Sequence, residues 1–197
     1  MGEMQNFFDK FNATKMFLNL ISDSKTNMLE DDLLNQLLSF MIKLLEGGNS
    51  KVQKTIYNFF TYYPKSEMLF WKFHGIITDS ISMINDIKRK LYSTTASFTE
   101  INQEQLDKEN LQSIILMKTL RLLQLFTEGH NLDLQNYMRF QFNSRNNYDM
   151  VSIIVELLEG YHKNLSIDTY ENYTKCLDTL TEFVQGPCQA NQKKIND

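Results

Sequence analysis

The stretch LLNQLLSFMIKLLEGGNSKVQKTIYNFFTYYP (residues 33–64) decides the fold. Its first half places apolar residues at three- and four-residue intervals, which is the spacing of one helical face. Gly47-Gly48 then supplies the flexible positions that end a helix. Asn49 or Ser50 can accept hydrogen bonds from the free amides at the start of the next helix, which a proline stops. The stretch therefore predicts a helical hairpin whose first helix covers residues 29–46.

The rest of the chain repeats this pattern of apolar stripes and polar breaks. Residues 111–126 are apolar around much of the helical circumference, as in a central buried helix. Residues 93–108 lose the apolar stripe, and we interpret them as a linker. No alternating run of β-branched residues predicts a sheet. Further helices are predicted over residues 13–22, 66–91, 132–142, 148–161 and 170–184.

These patterns predict an all-α protein, with an armadillo/HEAT-like α-solenoid of about seven or eight helices. Hairpins joined by short polar breaks can bury their apolar faces against neighbouring hairpins, which is how such solenoids are built. No strict sequence period supports the solenoid, so a closed bundle is the alternative. The predicted organisation is an N-terminal helical segment (1–92), a polar linker (93–108) and a C-terminal helical domain (109–197).

Composition and motifs exclude several classes of function. A net charge of -4 and a pI near 5.4 provide no broad basic surface for nucleic acid. The apolar runs are far shorter than the roughly 20 residues of a bilayer-spanning helix, and the first residues do not form a signal peptide. We therefore expect a segment that faces the cytosol without crossing the membrane. No phosphate loop, nucleophile elbow or metalloprotease motif occurs, so no enzyme is expected.

Two blocks of sequence carry a specific resemblance: LLQLFTEGHNLDLQNYMR (residues 122–139) and LTEFVQGPC (residues 180–188). Both resemble signature blocks of the domain shared by inositol trisphosphate and ryanodine receptors. The upstream words LLEGGN (residues 44–49) and KSE (residues 65–67) are similar to the helical segment that precedes this domain in inositol trisphosphate receptors. The resemblance covers roughly residues 14–193. It departs from the family in two loops, where the linker is shorter and a glycine-rich insertion is missing.

The resemblance implies a calcium sensor, in which an acidic residue from each block is a calcium ligand. The matching residues in this chain are Glu128 and Glu182, with His130 and Gln185 at nearby supporting positions. Glu128 lies at the end of a predicted helix, where the helix dipole attracts a cation. Because Ca²⁺ takes about 6 to 8 oxygen ligands, these residues would form only a partial and weak site. In the family, a backbone carbonyl from the region near the pore adds a ligand.

The resemblance also implies the function and its setting. We expect a cytosolic regulatory segment of an intracellular calcium-release channel, similar to an inositol trisphosphate receptor, which transmits ligand-induced conformational change toward the pore. Its partners would be other domains of the channel, in a homotetramer at the cytosolic face of the endoplasmic reticulum or another calcium-store membrane. Inositol trisphosphate itself is expected to bind elsewhere, because no cluster of Arg and Lys here could hold its phosphates.

A stand-alone helical scaffold that has lost the channel function is the alternative. It would use aromatic side chains near Tyr57, Phe59, Tyr62 and Trp71 to bind partner proteins, although such residues are more often part of a core. Pore helices encoded downstream of Asp197 would support the channel segment, whereas a stop codon there would favour the scaffold. Cys188, in a predicted turn after Gly-Pro, is given no role.

Overall fold

The computed structural model describes residues 2–23, 28–63, 66–92 and 103–196, and all regular secondary structure within these ranges is helical. This confirms the all-α prediction, but ten helices are described where seven or eight were expected. They are α1 (Gly2–Lys10), α2 (Ala13–Asp23), α3 (Met28–Leu45), α4 (Ser50–Tyr62), α5 (Ser66–Tyr92), α6 (Gln103–Thr127), α7 (Leu132–Arg139), α8 (Met150–Lys163), α9 (Ile167–Val184) and α10 (Gln189–Asn196).

The two helices that the sequence analysis missed are α1 and α10. Each is anchored by a buried amide side chain. In α1, Gln5 donates to two carbonyl oxygens at the end of α3. In α10, Asn191 donates to the carbonyl oxygens of Gln135 and Phe183. Buried polar anchors of this kind leave no apolar periodicity in the sequence, so a search for apolar stripes does not find such helices.

Each helix packs against the helix three places later in the chain. One column contains α1, α4, α7 and α10; a second contains α2, α5 and α8; and a third contains α3, α6 and α9. The chain thus repeats a unit of three helices, with α1–α3, α4–α6 and α7–α9 as the first, second and third repeats. Stacking of each unit on its neighbours is the organisation of helical-repeat proteins. The packing therefore favours a solenoid-like stack over the closed bundle.

Helix α6 lies at the centre of the third column, between α3 and α9. A single hydrophobic core runs through the stack from α2 to α9. Burying one large apolar side chain contributes about 1.5–3 kcal/mol, so a fully buried stretch of α6 is a major part of the stabilising free energy. This confirms the prediction of a central buried helix. The fully buried side chains of that stretch are Leu120, Leu122, Leu123, Leu125 and Phe126.

The predicted linker overlaps the start of α6. Residues 103–108 are helical, and residues 93–102 lie outside the described part of the chain. Because α3 and α6 pack along each other, the segments 1–92 and 109–197 contribute to one core. Their division into two domains stays a prediction.

The turn after the third helix of a repeat recurs with the same sequence and backbone conformation. Residues 46–53 and 128–135 share the pattern Glu-Gly-x-Asn-x-x-x-Gln. The shared glycine has φ +80° in the first copy and +79° in the second, and the next residue, Gly48 or His130, has φ +67° or +62°. In both copies the asparagine caps the next helix by accepting backbone amide hydrogen bonds. This repeat is a period that the sequence analysis did not find.

Candidate metal site

Glu128 and Glu182 lie at the ends of two packed helices from successive repeats. Glu128 directly follows the last residue of α6, and Glu182 is in the last turn of α9. The two carboxylates interact electrostatically: the pKa of Glu182 is raised first by burial and then by the negative charge of Glu128. A carboxylate at a helix C-terminus is repelled by the negative end of the helix dipole, whereas a cation is attracted there. The two residues that the resemblance pointed to are therefore neighbours.

Each of the two carboxylates has one oxygen without a hydrogen bond. Glu128 Oε2 and Glu182 Oε2 are buried, and neither has a donor among the described residues. A buried acceptor left without a partner costs about 1–3 kcal/mol, and more when it is charged, so folded proteins contain few of them. Two such oxygens from neighbouring helix ends are suitable ligands for a hard cation, which binds carboxylate oxygens in preference to nitrogen or sulfur.

Two basic side chains partly balance the negative charge. A guanidinium nitrogen of Arg121 lies 3.9 Å from Glu128 Oε2, which is an ionic contact too long to be a hydrogen bond. The pKa of Glu182 is raised by burial above all and also by the Glu128 charge, while His130 and Arg121 act in the opposite direction. The net rise in pKa indicates that His130 and Arg121 do not offset the combined effect of burial and the Glu128 charge on Glu182.

His130 reaches the site from the turn between α6 and α7. It has a left-handed backbone conformation, with φ +62°. Its ring lies against Gly186, where an added Cβ would be 3.2 Å from the His130 Cγ. Gly186 itself has φ +71°, so both its backbone conformation and the contact require glycine at this position. The His130 ring thus connects the turn after α6 to the turn after α9.

Gln185 takes part through its backbone. Its carbonyl oxygen accepts a hydrogen bond of 2.9 Å from Gln135 Nε2, which also donates to the Glu182 carbonyl oxygen at 2.8 Å. No described contact joins the Gln185 side-chain amide to Glu128 or Glu182. The structure thus places the Glu128 charge and the His130 ring where both affect the pKa of Glu182, after the larger effect of burial. Gln185 joins this region only by its backbone.

The turn of the preceding repeat lines one side of Glu128. A Cβ added at Gly48 would lie 3.3 Å from the Cγ of Glu128 and 3.6 Å from its carbonyl oxygen. Gly48 therefore lets the Glu128 side chain pack directly on the backbone of the turn after α3. Three successive repeats meet around the two carboxylates.

Two further residues at this place, Gln53 and Gln135, were not identified from the sequence. Gln53 Nε2 donates to the carbonyl oxygens of Leu125 and Glu128, at 3.0 and 2.8 Å. Gln135 makes the equivalent pair of hydrogen bonds one repeat later. Both glutamines occupy the last position of the recurring Glu-Gly-x-Asn-x-x-x-Gln pattern. An internal comparison of residues 46–53 with 128–135 could have found them.

The site is incomplete within the described part of the chain. No group of three or more His, Cys, Asp and Glu side chains there is arranged to hold a metal ion. Glu128 and Glu182 together supply at most four carboxylate oxygens, whereas Ca²⁺ takes about 6–8 oxygen ligands. The residues therefore fit part of a calcium site, whose remaining ligands would be water molecules or oxygens from elsewhere.

The four aromatic residues that a stand-alone scaffold would use to bind partners differ in their exposure. Phe59 is fully buried, Tyr57 is partly buried against the core, and Tyr62 and Trp71 are 76% and 49% exposed. The four side chains are thus divided between core and surface. In the same described ranges, no helix is long and apolar enough to cross a membrane.

The stack of three-helix units defines the class of protein as a helical-repeat domain, in which two carboxylates lie at the junction of successive repeats. Comparison with known proteins indicates a related family. Residues 108–197 match the family model described as "RyR and IP3R Homology associated". This match supports a relationship between residues 108–197 and the inositol trisphosphate and ryanodine receptor family.

A receptor from a nematode gives the same result. The chain is 30% identical over 128 residues to "Inositol 1,4,5-trisphosphate receptor itr-1" of Caenorhabditis elegans. This alignment covers 59% of the chain and 4% of that receptor. The chain therefore spans a small fraction of the length of this curated relative, and the match confirms the resemblance found in the two signature blocks.

Proposed function

We propose that this chain is a cytosolic regulatory segment of an intracellular calcium-release channel and that Glu128 and Glu182 are its part of a calcium-sensing site. The observation that carries the proposal is the pair of buried carboxylate oxygens without hydrogen-bond donors at the ends of α6 and α9. The similarity to the receptor family supports the channel setting. The two carboxylates belong to successive repeats, so a cation held by both would connect those repeats.

Calcium, when bound, supplies a positive charge that offsets the repulsion between the two carboxylates. Glu128 and Glu182 each contribute a buried oxygen without a hydrogen-bond donor, and the effects of His130 and Arg121 on the pKa of Glu182 are smaller than the combined effect of burial and the Glu128 charge. Arg121 would compete with a cation for Glu128, since its guanidinium already lies near that carboxylate. The resulting affinity of the isolated chain is low, because most of the 6–8 oxygens that Ca²⁺ takes must come from outside the pair.

The low affinity for calcium allows the site to have a regulatory role. A pore-side segment of the full channel that adds oxygen ligands would bind calcium together with this chain more tightly than either part alone. A ligand that binds one conformation more tightly shifts the equilibrium toward that conformation. In this way the repeat stack would transmit calcium binding, and the conformational change caused by other ligands, toward the pore.

The setting of this function is part of the proposal. The partners are other domains of the channel, in a homotetramer of the full-length protein, at the cytosolic face of the endoplasmic reticulum or another calcium-store membrane. Inositol trisphosphate would bind at another part of that protein.

The test is a Ca²⁺ titration of the chain followed by residue-resolved NMR. We expect weak, saturable shifts centred on residues 128–131 and 182–186, and we expect the double variant Glu128→Gln, Glu182→Gln to lose them. The matched control is Glu156→Gln, Glu171→Gln, which removes the same charge from two exposed glutamates of α8 and α9. If wild type gives no site-specific response up to millimolar Ca²⁺, or if the control loses the response as well, the calcium assignment is wrong for this chain.

A further inference from the structure

A buried glutamine joins the first helix of every repeat to the end of its third helix. In the first repeat, Gln5 Nε2 donates to the carbonyl oxygens of Lys43 and Glu46, at 2.9 and 3.0 Å. Gln53 and Gln135 do the same in the second and third repeats, to carbonyl pairs with the same three-residue spacing. We call each such pair of hydrogen bonds a glutamine bridge. All three side chains are at most 5% exposed.

In two of the three repeats an asparagine completes the bridge. Asn49 Nδ2 donates to Gln5 Oε1 at 2.9 Å, and Asn131 Nδ2 donates to Gln53 Oε1 at 3.0 Å. These asparagines also cap α4 and α7, the first helices of the next repeats. A complete bridge therefore fixes the end of one repeat relative to the start of the next.

We propose that Gln53 and Gln135 are positioning residues of the metal site, each holding the backbone of one carboxylate-bearing helix end. This inference rests on the calcium site proposed above and deepens it. Gln53 holds the carbonyl group of Glu128 itself at 2.8 Å, and Gln135 holds that of Glu182 at 2.8 Å. Neither glutamine would touch the cation, so each acts through the backbone of the residue that does.

The chemistry of the glutamine side chain suits this task. An amide group donates two hydrogen bonds without adding a charge, so it fixes carbonyl groups near a cation site without repelling the cation. Each bridge also uses one carbonyl group of the last helical turn and that of the residue directly after the helix, a region where backbone carbonyl groups lack partners inside the helix. Metal sites depend on such supporting hydrogen bonds, whose loss typically lowers metal affinity about 10- to 100-fold.

The first repeat offers a matched control. Gln5 makes the same bridge, but the carbonyl groups that it holds belong to Lys43 and Glu46, which are not the proposed ligands. Gln5→Met, Gln53→Met and Gln135→Met each replace a buried amide by an apolar side chain of similar length. A purely structural role predicts the same kind of damage from all three changes.

The experiment measures two quantities for wild type and the three variants: the Kd for Ca²⁺ by NMR titration, and the hydrogen exchange rates of three amides without Ca²⁺. Those amides close the helix ends through backbone hydrogen bonds and belong to Gly48, Asn131 and Gln185. We expect the Kd to rise about tenfold in Gln53→Met and Gln135→Met and to stay unchanged in Gln5→Met. We also expect exchange to accelerate only at the amide of the altered bridge.

The outcomes separate this inference from the proposed function. If all three variants raise the Kd equally, or if exchange accelerates evenly along the chain, the glutamines are general stabilisers and the positioning role is wrong. If wild type shows no Ca²⁺ response, the calcium function fails. The exchange rates then test the glutamine bridges independently of calcium. Faster amide exchange confined to the helix end of each altered bridge supports them.

Discussion

Gly48 and His130 have the same left-handed backbone conformation, with φ +67° and +62°, at equivalent positions of two successive repeats. Glycine adopts this conformation without a steric penalty, whereas a residue with a Cβ is strained by roughly 1–2 kcal/mol. The strained residue is the histidine beside the carboxylate pair, and strain of this kind often accompanies function.

The strained backbone conformation of His130 predicts how substitutions at this position change the stability of the protein. His130→Gly should raise the free energy of unfolding by about 1 kcal/mol, because glycine removes the clash of the Cβ in the left-handed region. His130→Ala is the control, since it removes the ring but keeps the Cβ, and it should not share the gain. Chemical denaturation measures both. Equal stabilities of the glycine and alanine variants would contradict the interpretation.

The glycines of the preceding turn allow the reverse test. Gly47 has φ +80° and open space around it, whereas Gly48 lies against the Glu128 side chain. Gly47→Ala should destabilise the protein by roughly 1–2 kcal/mol through backbone strain alone. Gly48→Ala should cost more, because its Cβ would be 3.3 Å from the Cγ of Glu128. NMR shifts at residue 128 should change in the second variant only; similar spectra for both would contradict the contact.

The pKa of Glu182 predicts a pH-dependent stability. Burial and the Glu128 charge raise this pKa above its ordinary value of 4.5, against the effects of His130 and Arg121. The folded protein therefore binds the proton more tightly than the unfolded chain, and ionisation of Glu182 lowers stability as the pH rises through the raised pKa. Glu182→Gln removes this loss.

The change Glu182→Gln should accordingly raise the Tm by a few degrees at neutral pH, and the gain should vanish below the ordinary pKa. Thermal unfolding followed from about pH 4 to pH 8 measures it. The control is Glu171→Gln, an exposed glutamate on the same helix, which should show no such pH dependence. A gain that grows toward acidic pH would have the wrong sign for a raised pKa.

Cys188 occupies the position at which the other two bridges have asparagine. Gln135 Oε1 is therefore buried without a partner in the described structure, while the Cys188 thiol lies 3.9 Å from Asn136 Oδ1. Cys188→Asn should restore the missing hydrogen bond and stabilise the protein by about 1 kcal/mol, or a rise in Tm of roughly 2–4 °C.

The origin of that gain can be tested with a second substitution. In a Gln135→Met background the asparagine has no Oε1 acceptor, so Cys188→Asn should give no stabilisation. Such a double-mutant cycle measures the coupling between the two positions. Equal gains in both backgrounds would mean that the asparagine acts through other contacts.

The sequence alone was sufficient to predict the helices that have an apolar stripe. Leucine spacing predicted α3, and the apolar circumference of residues 111–126 predicted the central position of α6. The glycines at positions 47 and 48 correctly marked the end of α3. These features can be recognised locally, because the apolar face of a helix is formed by residues three and four positions apart in the sequence. Helices α1 and α10 were missed, since buried amide side chains of Gln5 and Asn191 anchor them.

For the candidate site, too, one part could be predicted from the sequence and another part could not. The signature blocks pointed to Glu128, Glu182, His130 and Gln185 by resemblance. Without the resemblance, the predicted helix-end position of Glu128 was too little to distinguish a ligand from an ordinary exposed charge. Only the packing of α6 on α9 brings Glu128 next to Glu182 and buries an oxygen of each without a donor. Only the stacking of repeats places Gln53 and Gln135 on the carbonyl groups of those helix ends.

The sequence by itself therefore determined the helical class, the central helix and the resemblance to the receptor family, because apolar periodicity and signature blocks are properties of short segments. The tertiary structure decided the three-helix period, the meeting of the two carboxylates and the glutamine bridges. These depend on contacts between residues far apart in the chain, such as Gln53 with Glu128. Their free energy comes from burial and hydrogen bonds that form only once the repeats are stacked.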